Sequence, residues 1–177
     1  AGRVFALAPA AGLSRRMGTL KLRLPLGSKT VLERVLDALT RSRTHDVLVV
    51  LGPQSRAAAD LVRPPARLLQ LDQETPDMRA TIERGLADVE ARFQPTEADA
   101  FLLALADQPG LQPAWIDRLI DERAVHPQAV LVPSHQGRRG HPVLFPWRAV
   151  DRLRKLPADQ GLNQLLRDGS FRSEEHT

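Results

Sequence analysis

The sequence contains no cysteine and no tyrosine, and aromatic residues make up only 4% of its 177 residues. Without cysteine the chain has no disulfide, no thiolate nucleophile and no cysteine metal site, which favours a cytoplasmic protein. Few aromatic rings also mean few surfaces on which nucleic-acid bases stack. No apolar run reaches the roughly 18 residues that span a bilayer, so we expect no membrane segment.

The distribution of charge also argues against a nucleic-acid-binding protein. The formal net charge is +4, from 25 basic and 21 acidic residues, and the basic residues form no run of five. Scattered charge of this kind does not indicate a nucleic-acid partner, whereas a modest positive field suits polyphosphate ligands. None of the five histidines has an H-x-H or H-E-x-x-H neighbour, so a zinc site is not expected.

Short apolar runs typical of buried strands alternate with segments of helical periodicity. Strands are predicted at residues 3–8, 46–51, 67–71, 100–106, 129–132 and 142–145. Helices are predicted at residues 30–40, 55–61, 77–92, 113–124, 150–156 and 161–167. This alternation predicts an α/β fold with a mainly parallel sheet, helices on both faces and ligands at the carboxyl ends of the strands. We expect a single domain over residues 1–169 and a polar, fraying tail over residues 170–177.

Several local signals predict how the elements begin and which side chains face the core. Thr30 and Glu33 have the spacing of a capping box at the start of a helix. Asp77 is placed to cap the next long helix. In the helix at residues 113–124, Trp115 is expected to face inward with its aliphatic neighbours. The apolar start of the chain is interpreted as a strand rather than a signal peptide.

The segment AAGLSRRMGTLK, residues 10–21, follows the first predicted strand directly. Small residues let a backbone pass close to a ligand, and successive N–H groups in such a turn form an anion site. Ser14 adds a hydroxyl donor, while Arg16 and Lys21 add positive charge for a triphosphate. No lysine follows the second glycine directly and a third glycine is missing, so the P-loop and dinucleotide patterns both fail. A phosphate-binding loop is predicted, with an ordinary strand-to-helix loop as the alternative.

Two aspartates and one histidine are further candidates. Asp107 follows a predicted central strand, where magnesium and phosphates would meet, and Mg²⁺ favours few carboxylates plus water and phosphate oxygens. Its alternative role is to end the strand or cap the next helix. Asp159 is a candidate second ligand, with a surface helix cap as its alternative. His141, between Gly140 and Pro142, is on residue type alone more typical of a partly buried histidine.

The loop at residues 8–21 resembles the signature AAG-x-S-x-R-M-G-x-x-K of nucleotidyltransferases with a glycosyltransferase-A type, Rossmann-like fold. It is most similar to the MobA-like branch related to molybdenum-cofactor cytidylyltransferases. Five further segments match in order over nearly the whole chain: Leu24-Pro25-Leu26, residues 77–86, Asp107-Gln108-Pro109, residues 137–145 and residues 159–161.

The resemblance implies a reaction and assigns residues to it. A nucleoside monophosphate would pass from a nucleoside triphosphate to a small phosphorylated acceptor such as molybdopterin, with Mg²⁺ as cofactor and pyrophosphate as leaving group. The catalytic residues would be Arg16, Lys21 and Asp107, and the metal ligands Asp107 and Asp159. The nucleotide contacts would be Ala10, Ala11, Gly12, Ser14, Arg16, Lys21, Met78 and Arg79. The acceptor contacts would be Gly140, His141 and Pro142. The protein would be a monomer or homodimer.

The donor base and the acceptor are less closely specified. In the resembling families two alanines before the first glycine accompany cytidylyl transfer, and Leu20 replaces the aspartate of the guanylyl enzymes, so CTP is favoured. The molybdenum-cofactor enzymes have the motif G-M-S-S-S at the segment that is D-M-R-A-T here, residues 77–81. The methionine is shared, but Asp77 replaces the glycine, and Arg79 and Ala80 replace two serines, so the acceptor stays open. A sugar-phosphate or methylerythritol-phosphate nucleotidyltransferase is an alternative, although those enzymes carry Pro-Lys where Leu20 precedes Lys21. A non-catalytic nucleotide-binding module of the same fold is another.

Overall fold

The computed structural model describes residues 2–11, 18–135, 138–167 and 173–176. Its strands are β1 (Val4–Pro9), β2 (Pro25–Leu26), β3 (Lys29–Thr30), β4 (Asp46–Leu51), β5 (Arg67–Gln70), β6 (Ala100–Leu103), β7 (Val130–His135), β8 (Arg138–Arg139), β9 (Val143–Pro146) and β10 (Ser173–His176). Its α-helices are α1 (Gly18–Leu22), α2 (Val31–Thr40), α3 (Met78–Phe93), α4 (Pro113–Val125), α5 (Ala149–Lys155) and α6 (Leu162–Arg167). Pro53–Leu61 forms a 3₁₀ helix.

The main sheet has the strand order β10-β7-β9-β6-β1-β4-β5, with β8 paired to β7. β1 lies in the interior of the sheet, beside the central strand β6, and runs parallel to both β4 and β6. β9 runs antiparallel to both β6 and β7. The structure therefore confirms the single α/β domain with a mainly parallel sheet, and it places one reversed strand beside the central strands.

Helices cover both faces of this sheet. Side chains alternate along β1, so that Ala6 and Ala8 enter one core and Phe5 and Leu7 enter the other. The first core includes α2 and α4, and the second includes α3, α5 and α6. Because both faces of the central strands are buried, their sequences are continuously apolar rather than alternating.

The predicted helix caps are confirmed. The Thr30 hydroxyl accepts the N–H of Glu33 at 3.2 Å, and the Glu33 carboxylate accepts the N–H of Thr30 at 3.0 Å. The Asp77 carboxylate accepts the N–H of Ala80 at 2.8 Å. Each cap supplies a partner to a backbone group that the first helical turn leaves without one.

Three local predictions were wrong. β6 ends at Leu103 rather than at residue 106. The N–H of Ala104 still donates to Leu7 of β1, and the chain then turns, with the N–H of Gln108 donating to Leu105. Trp115 is 48% exposed, since Ile116 and Leu119 fill the inward face of α4. Part of the segment expected to be loop forms α1.

The chain's last described residues add an edge to the sheet. Ser173–His176 pairs in parallel with β7, although residues 170–177 were expected to fray. An edge strand needs only backbone hydrogen bonds, which the polar composition of this segment does not reveal. Within the described ranges, no helix combines the length and apolar character needed to cross a bilayer.

Candidate active site

The segments that carry the predicted site residues meet at one edge of the sheet. β1 and β6 are parallel neighbours with Leu7 opposite Leu103, so the residues that follow both strands leave the same edge. β9 runs antiparallel to β6 with Val143 opposite Leu103, so the residues that precede β9 reach that edge too. Asp107 follows β6, and His141 precedes β9.

Lys21 and Asp107 are in contact across this edge. The Lys21 ammonium lies 3.2 Å from the Asp107 carboxylate, although 86 residues separate them. Lys21 is carried by α1, which the fully buried Leu22 anchors to the core. The two side chains are 52% and 23% exposed, so both charged groups are accessible to a ligand. A cation and a carboxylate thus lie side by side where the loop after β1 would present a triphosphate.

Gln108 connects the Asp107 turn to the segment before β9. Its amide nitrogen donates to the carbonyl of His141 at 3.3 Å. Its amide oxygen is buried and has no hydrogen-bond partner among the described residues. The N–H of Gly140 donates to Pro133 at 3.0 Å, which fixes the other side of the segment. The predicted metal turn and the predicted acceptor segment therefore form one unit.

Burial lowers the pKa of His141 below its ordinary value. The imidazole is consequently neutral at physiological pH, where it offers one donor and one acceptor nitrogen rather than a positive charge. Pro142, beside it, is buried. A neutral histidine at this edge suits hydrogen bonding to an acceptor molecule more than charge neutralisation of a phosphate.

The start of the predicted phosphate loop is part of the sheet edge. The N–H groups of Ala10 and Ala11 both donate to the carbonyl of Val50, at 2.7 and 3.0 Å. The Thr81 hydroxyl donates to the carbonyl of Ala11 at 3.3 Å. The amides of Ala10 and Ala11 are therefore already paired with β4, and the rest of the predicted phosphate loop, residues 12–17, lies outside the described residues. Three predicted contacts fall there: Gly12, Ser14 and Arg16.

The first turn of α3 carries the two remaining nucleotide contacts predicted from the sequence. Met78 is partly buried and packs against the core beneath α3. The guanidinium of Arg79 donates to four backbone carbonyls between residues 153 and 160. Direct contact of either side chain with a nucleotide stays a prediction, and the structure gives Arg79 a set of partners that its sequence position does not indicate.

Asp159 lies exposed in the turn between α5 and α6. No three histidine, aspartate or glutamate side chains in the described part of the chain group closely enough to hold a metal by themselves. The accessible carboxylate of Asp107 fits Mg²⁺, because this ion is bound through one or two carboxylates together with substrate phosphates and water. The metal role of Asp159 stays a prediction.

Sequence reasoning did not identify Gln108 and Thr81 as contributors to this edge. Gln108 stands beside Asp107 in the D-Q-P segment, and that adjacency is its only signal. Thr81 is completely buried, and its hydroxyl lies 2.5 Å from that of Thr75. Thr81 is a polar residue on the apolar face of α3, and such a buried hydroxyl requires a hydrogen-bond partner. That position was the sequence signal for its contact with this edge.

Comparison with known proteins agrees with this geometry. The sequence model of the MobA-like NTP transferase domain matches residues 6–176. The purine catabolism protein PucB of Bacillus subtilis (strain 168) is 28% identical over 166 residues, which covers 92% of this chain and 80% of PucB.

Solved structures show the same architecture. The crystal structure of Rv0371c from Mycobacterium tuberculosis H37Rv matches with a TM-score of 0.81 and 26% identity, over 99% of this chain and 87% of that one. A second Rv0371c structure, a complex with manganese, gives a TM-score of 0.78 and 24% identity over the same shares. A 4-diphosphocytidyl-2C-methyl-D-erythritol synthase matches with a TM-score of 0.77 over 100% of this chain and 90% of its own, but at 21% identity this likeness concerns the fold alone.

Proposed function

The chain belongs to the family of MobA-like NTP transferase domains and is a nucleotidyltransferase, and we propose that it transfers CMP from CTP to a small phosphorylated acceptor such as molybdopterin, using Mg²⁺ and releasing pyrophosphate. The observation that carries this proposal is the contact between Lys21 and Asp107 at the carboxyl edge of β1 and β6. A cation for phosphate oxygens and a carboxylate for a metal are the two charges that the reaction requires there.

The reaction needs positioning and charge neutralisation more than proton transfer. An acceptor phosphate is largely dianionic at neutral pH, since its second pKa is about 6, so it attacks the α-phosphorus without a general base. A new P–O bond forms to the acceptor, and the bond to the β-phosphate breaks with its electron pair leaving on pyrophosphate. Lys21 and Arg16 bind the triphosphate oxygens and stabilise the negative charge on the leaving group.

The metal and acceptor contacts complete the assignment. Asp107, with Asp159 as the second carboxylate, would hold Mg²⁺, which when bound would supply charge neutralisation for the phosphates. The neutral imidazole of His141 orients the acceptor, together with the backbone of Gly140 and the ring of Pro142. Manganese bound by the related Rv0371c supports a divalent metal in this chain.

The preference for CTP rests on the loop after β1. Its two alanines and Leu20 match the cytidylyl rather than the guanylyl pattern. Both alanines are buried, and a Cβ at Gly52 would lie only 3.1 Å from that of Ala11, so Ala11 packs closely against the Gly52 backbone. In the proposed complex Gly12 and Ser14, in the loop that follows, contact the triphosphate.

Thermal unfolding with CTP, GTP, UTP and ATP, each with and without Mg²⁺, tests the proposal without requiring an acceptor. A ligand present at about a hundredfold excess over its Kd stabilises the folded state by about 2.7 kcal/mol. For a domain of this size, that corresponds to a rise in Tm of about 5–10 °C. We expect this rise with CTP and Mg²⁺, and we expect Asp107→Asn to abolish it.

A matched control distinguishes loss of the proposed metal site in Asp107→Asn from the general effect of removing a surface carboxylate. Asp121, on α4, is 67% exposed and pairs with Arg43, so Asp121→Asn should leave the CTP response intact. A larger response to GTP than to CTP would refute the donor assignment. An unchanged response in Asp107→Asn would refute the metal assignment.

A further inference from the structure

Arg79 uses its whole guanidinium to hold one segment of backbone. Nη1 donates to the carbonyls of Pro157 and Gln160 at 2.6 and 2.8 Å. Nη2 donates to the carbonyls of Leu153 and Leu156 at 2.8 and 3.0 Å. These four hydrogen bonds use all four Nη–H groups. The remaining donor, Nε, forms an ion pair with the Glu83 carboxylate at 3.5 Å, and no Nη–H is left for a phosphate in this arrangement.

The segment that Arg79 holds is the C-terminal end of α5 and the turn that follows. The last carbonyls of a helix have no intrahelical hydrogen-bond donor, and they carry partial negative charge. A guanidinium there supplies both the donors and the opposite charge. The Arg79 side chain is only 11% exposed, which limits competition from water for these carbonyls. Asp159 belongs to this turn, between two of the four acceptors.

Two residues of the same helical turn attach α3 to both sides of the candidate site. Thr81 donates to Ala11, at the start of the predicted phosphate loop, and Arg79 donates to the turn that carries Asp159. The first turn of α3 is therefore hydrogen-bonded both to the start of the predicted phosphate loop and to the turn that carries Asp159. The helix cap at Asp77 fixes the start of this turn.

We propose that Arg79 is a positioning residue that holds Asp159 in place for the metal by clamping the turn at residues 157–160. This inference rests on the proposed function, because it takes the metal role of Asp159 from there. Arg79 then acts on the nucleotide indirectly, through the turn, rather than by touching a phosphate.

The test compares Arg79→Ala, Arg79→Lys and Asp159→Asn in the thermal assay with CTP. The quantity measured is the Mg²⁺ concentration that gives half of the CTP-induced rise in Tm. Outer partners of metal ligands typically change metal affinity about 10–100-fold, so we expect Arg79→Ala to raise this concentration by at least about tenfold. Arg79→Lys should lie between wild type and alanine, because one ammonium cannot reach four carbonyls. Arg84→Ala, at an exposed position of the same helix, is the control.

Two further measurements separate positioning from general damage. Ethylguanidinium added to Arg79→Ala should restore the response to Mg²⁺, since it replaces the missing group. The double variant Arg79→Ala with Asp159→Asn should require no more Mg²⁺ than Asp159→Asn alone, because the two changes remove one function. An unchanged Mg²⁺ requirement in Arg79→Ala, with a raised one in Asp159→Asn, would overturn the inference.

Hydrogen exchange distinguishes failure of the clamp from failure of the proposed function. The N–H groups of Leu156 and Gln160 donate to Leu153 and Pro157, two of the carbonyls that Arg79 also holds. We expect faster exchange at both amides in Arg79→Ala, and unchanged exchange would refute the clamp. If Asp159→Asn leaves the Mg²⁺ requirement unchanged, the metal role of Asp159 is refuted, and faster exchange would then support the clamp alone.

Discussion

Replacement of Lys21 by methionine should separate catalysis from stability. Lys21→Met keeps the length of the side chain and removes the ammonium that lies 3.2 Å from Asp107. Because Lys21 is 52% exposed and Asp107 is 23% exposed, water and salt screen the pair. Exposed pairs of this kind contribute about 0.2–1 kcal/mol to the free energy of unfolding. The expected fall in Tm is therefore less than about 4 °C for a domain of this size.

The expected effect on turnover is far larger. Removal of one preorganised group that stabilises transition-state charge typically lowers kcat about 10²–10³-fold, or about 2.7–4 kcal/mol. Pyrophosphate release measures kcat, and urea unfolding measures stability in the same preparation. Lys29→Met is the matched control, since Lys29 pairs with Asp37 at a similar exposure and neither residue is assigned to the candidate site. Equal kcat in the Lys21 and Lys29 variants would refute the catalytic role of Lys21.

The remaining predictions concern the packing of α3 and the response to pH. A Cβ at Gly85 would lie 2.5 Å from a methyl group of the buried Leu7, so Gly85→Val should lower the free energy of unfolding in urea by about 1–3 kcal/mol. Ala87→Val, exposed on the same helix, should cost less than about 0.7 kcal/mol, and equal effects would contradict the packing argument. Burial lowers the pKa of His141, so the unfolded chain takes up the proton first and stability should fall as pH drops from about 7 through the ordinary histidine pKa of about 6.5. His141→Gln should flatten this part of the urea-midpoint profile, and an unchanged slope would exclude His141 as its cause.

The parts of the fold that follow from local sequence were predictable. Thr30 and Glu33 specify their helix start through contacts three residues apart, and the run at residues 46–51 is apolar because both its faces are buried. Lys21 and Asp107 could each be proposed from chemistry and resemblance. Their contact depends on the pairing of β1 with β6, which brings together residues 86 positions apart.

Other features depend on contacts that no local pattern encodes. Arg79 reaches carbonyl groups 74 to 81 residues away, and carbonyls are common to every residue, so the sequence carries no mark of these bonds. Trp115 was expected inside because its residue type is apolar, but two smaller neighbours occupy the inward face of α4. The strand at Ser173–His176 is held through its backbone, which polar side chains do not disclose.

The most direct test of the proposed reaction follows the α-phosphate of CTP. The protein is incubated with Mg²⁺, molybdopterin and CTP that is radiolabelled at the α-phosphate, with GTP, UTP and ATP labelled in the same way in parallel. We predict that label from CTP appears in a molybdopterin adduct in amounts equal to the pyrophosphate released, and that Asp107→Asn and Lys21→Met each lower the rate of both by at least about 10²-fold. Transfer from GTP instead, or release of inorganic phosphate without any labelled adduct, would contradict this prediction.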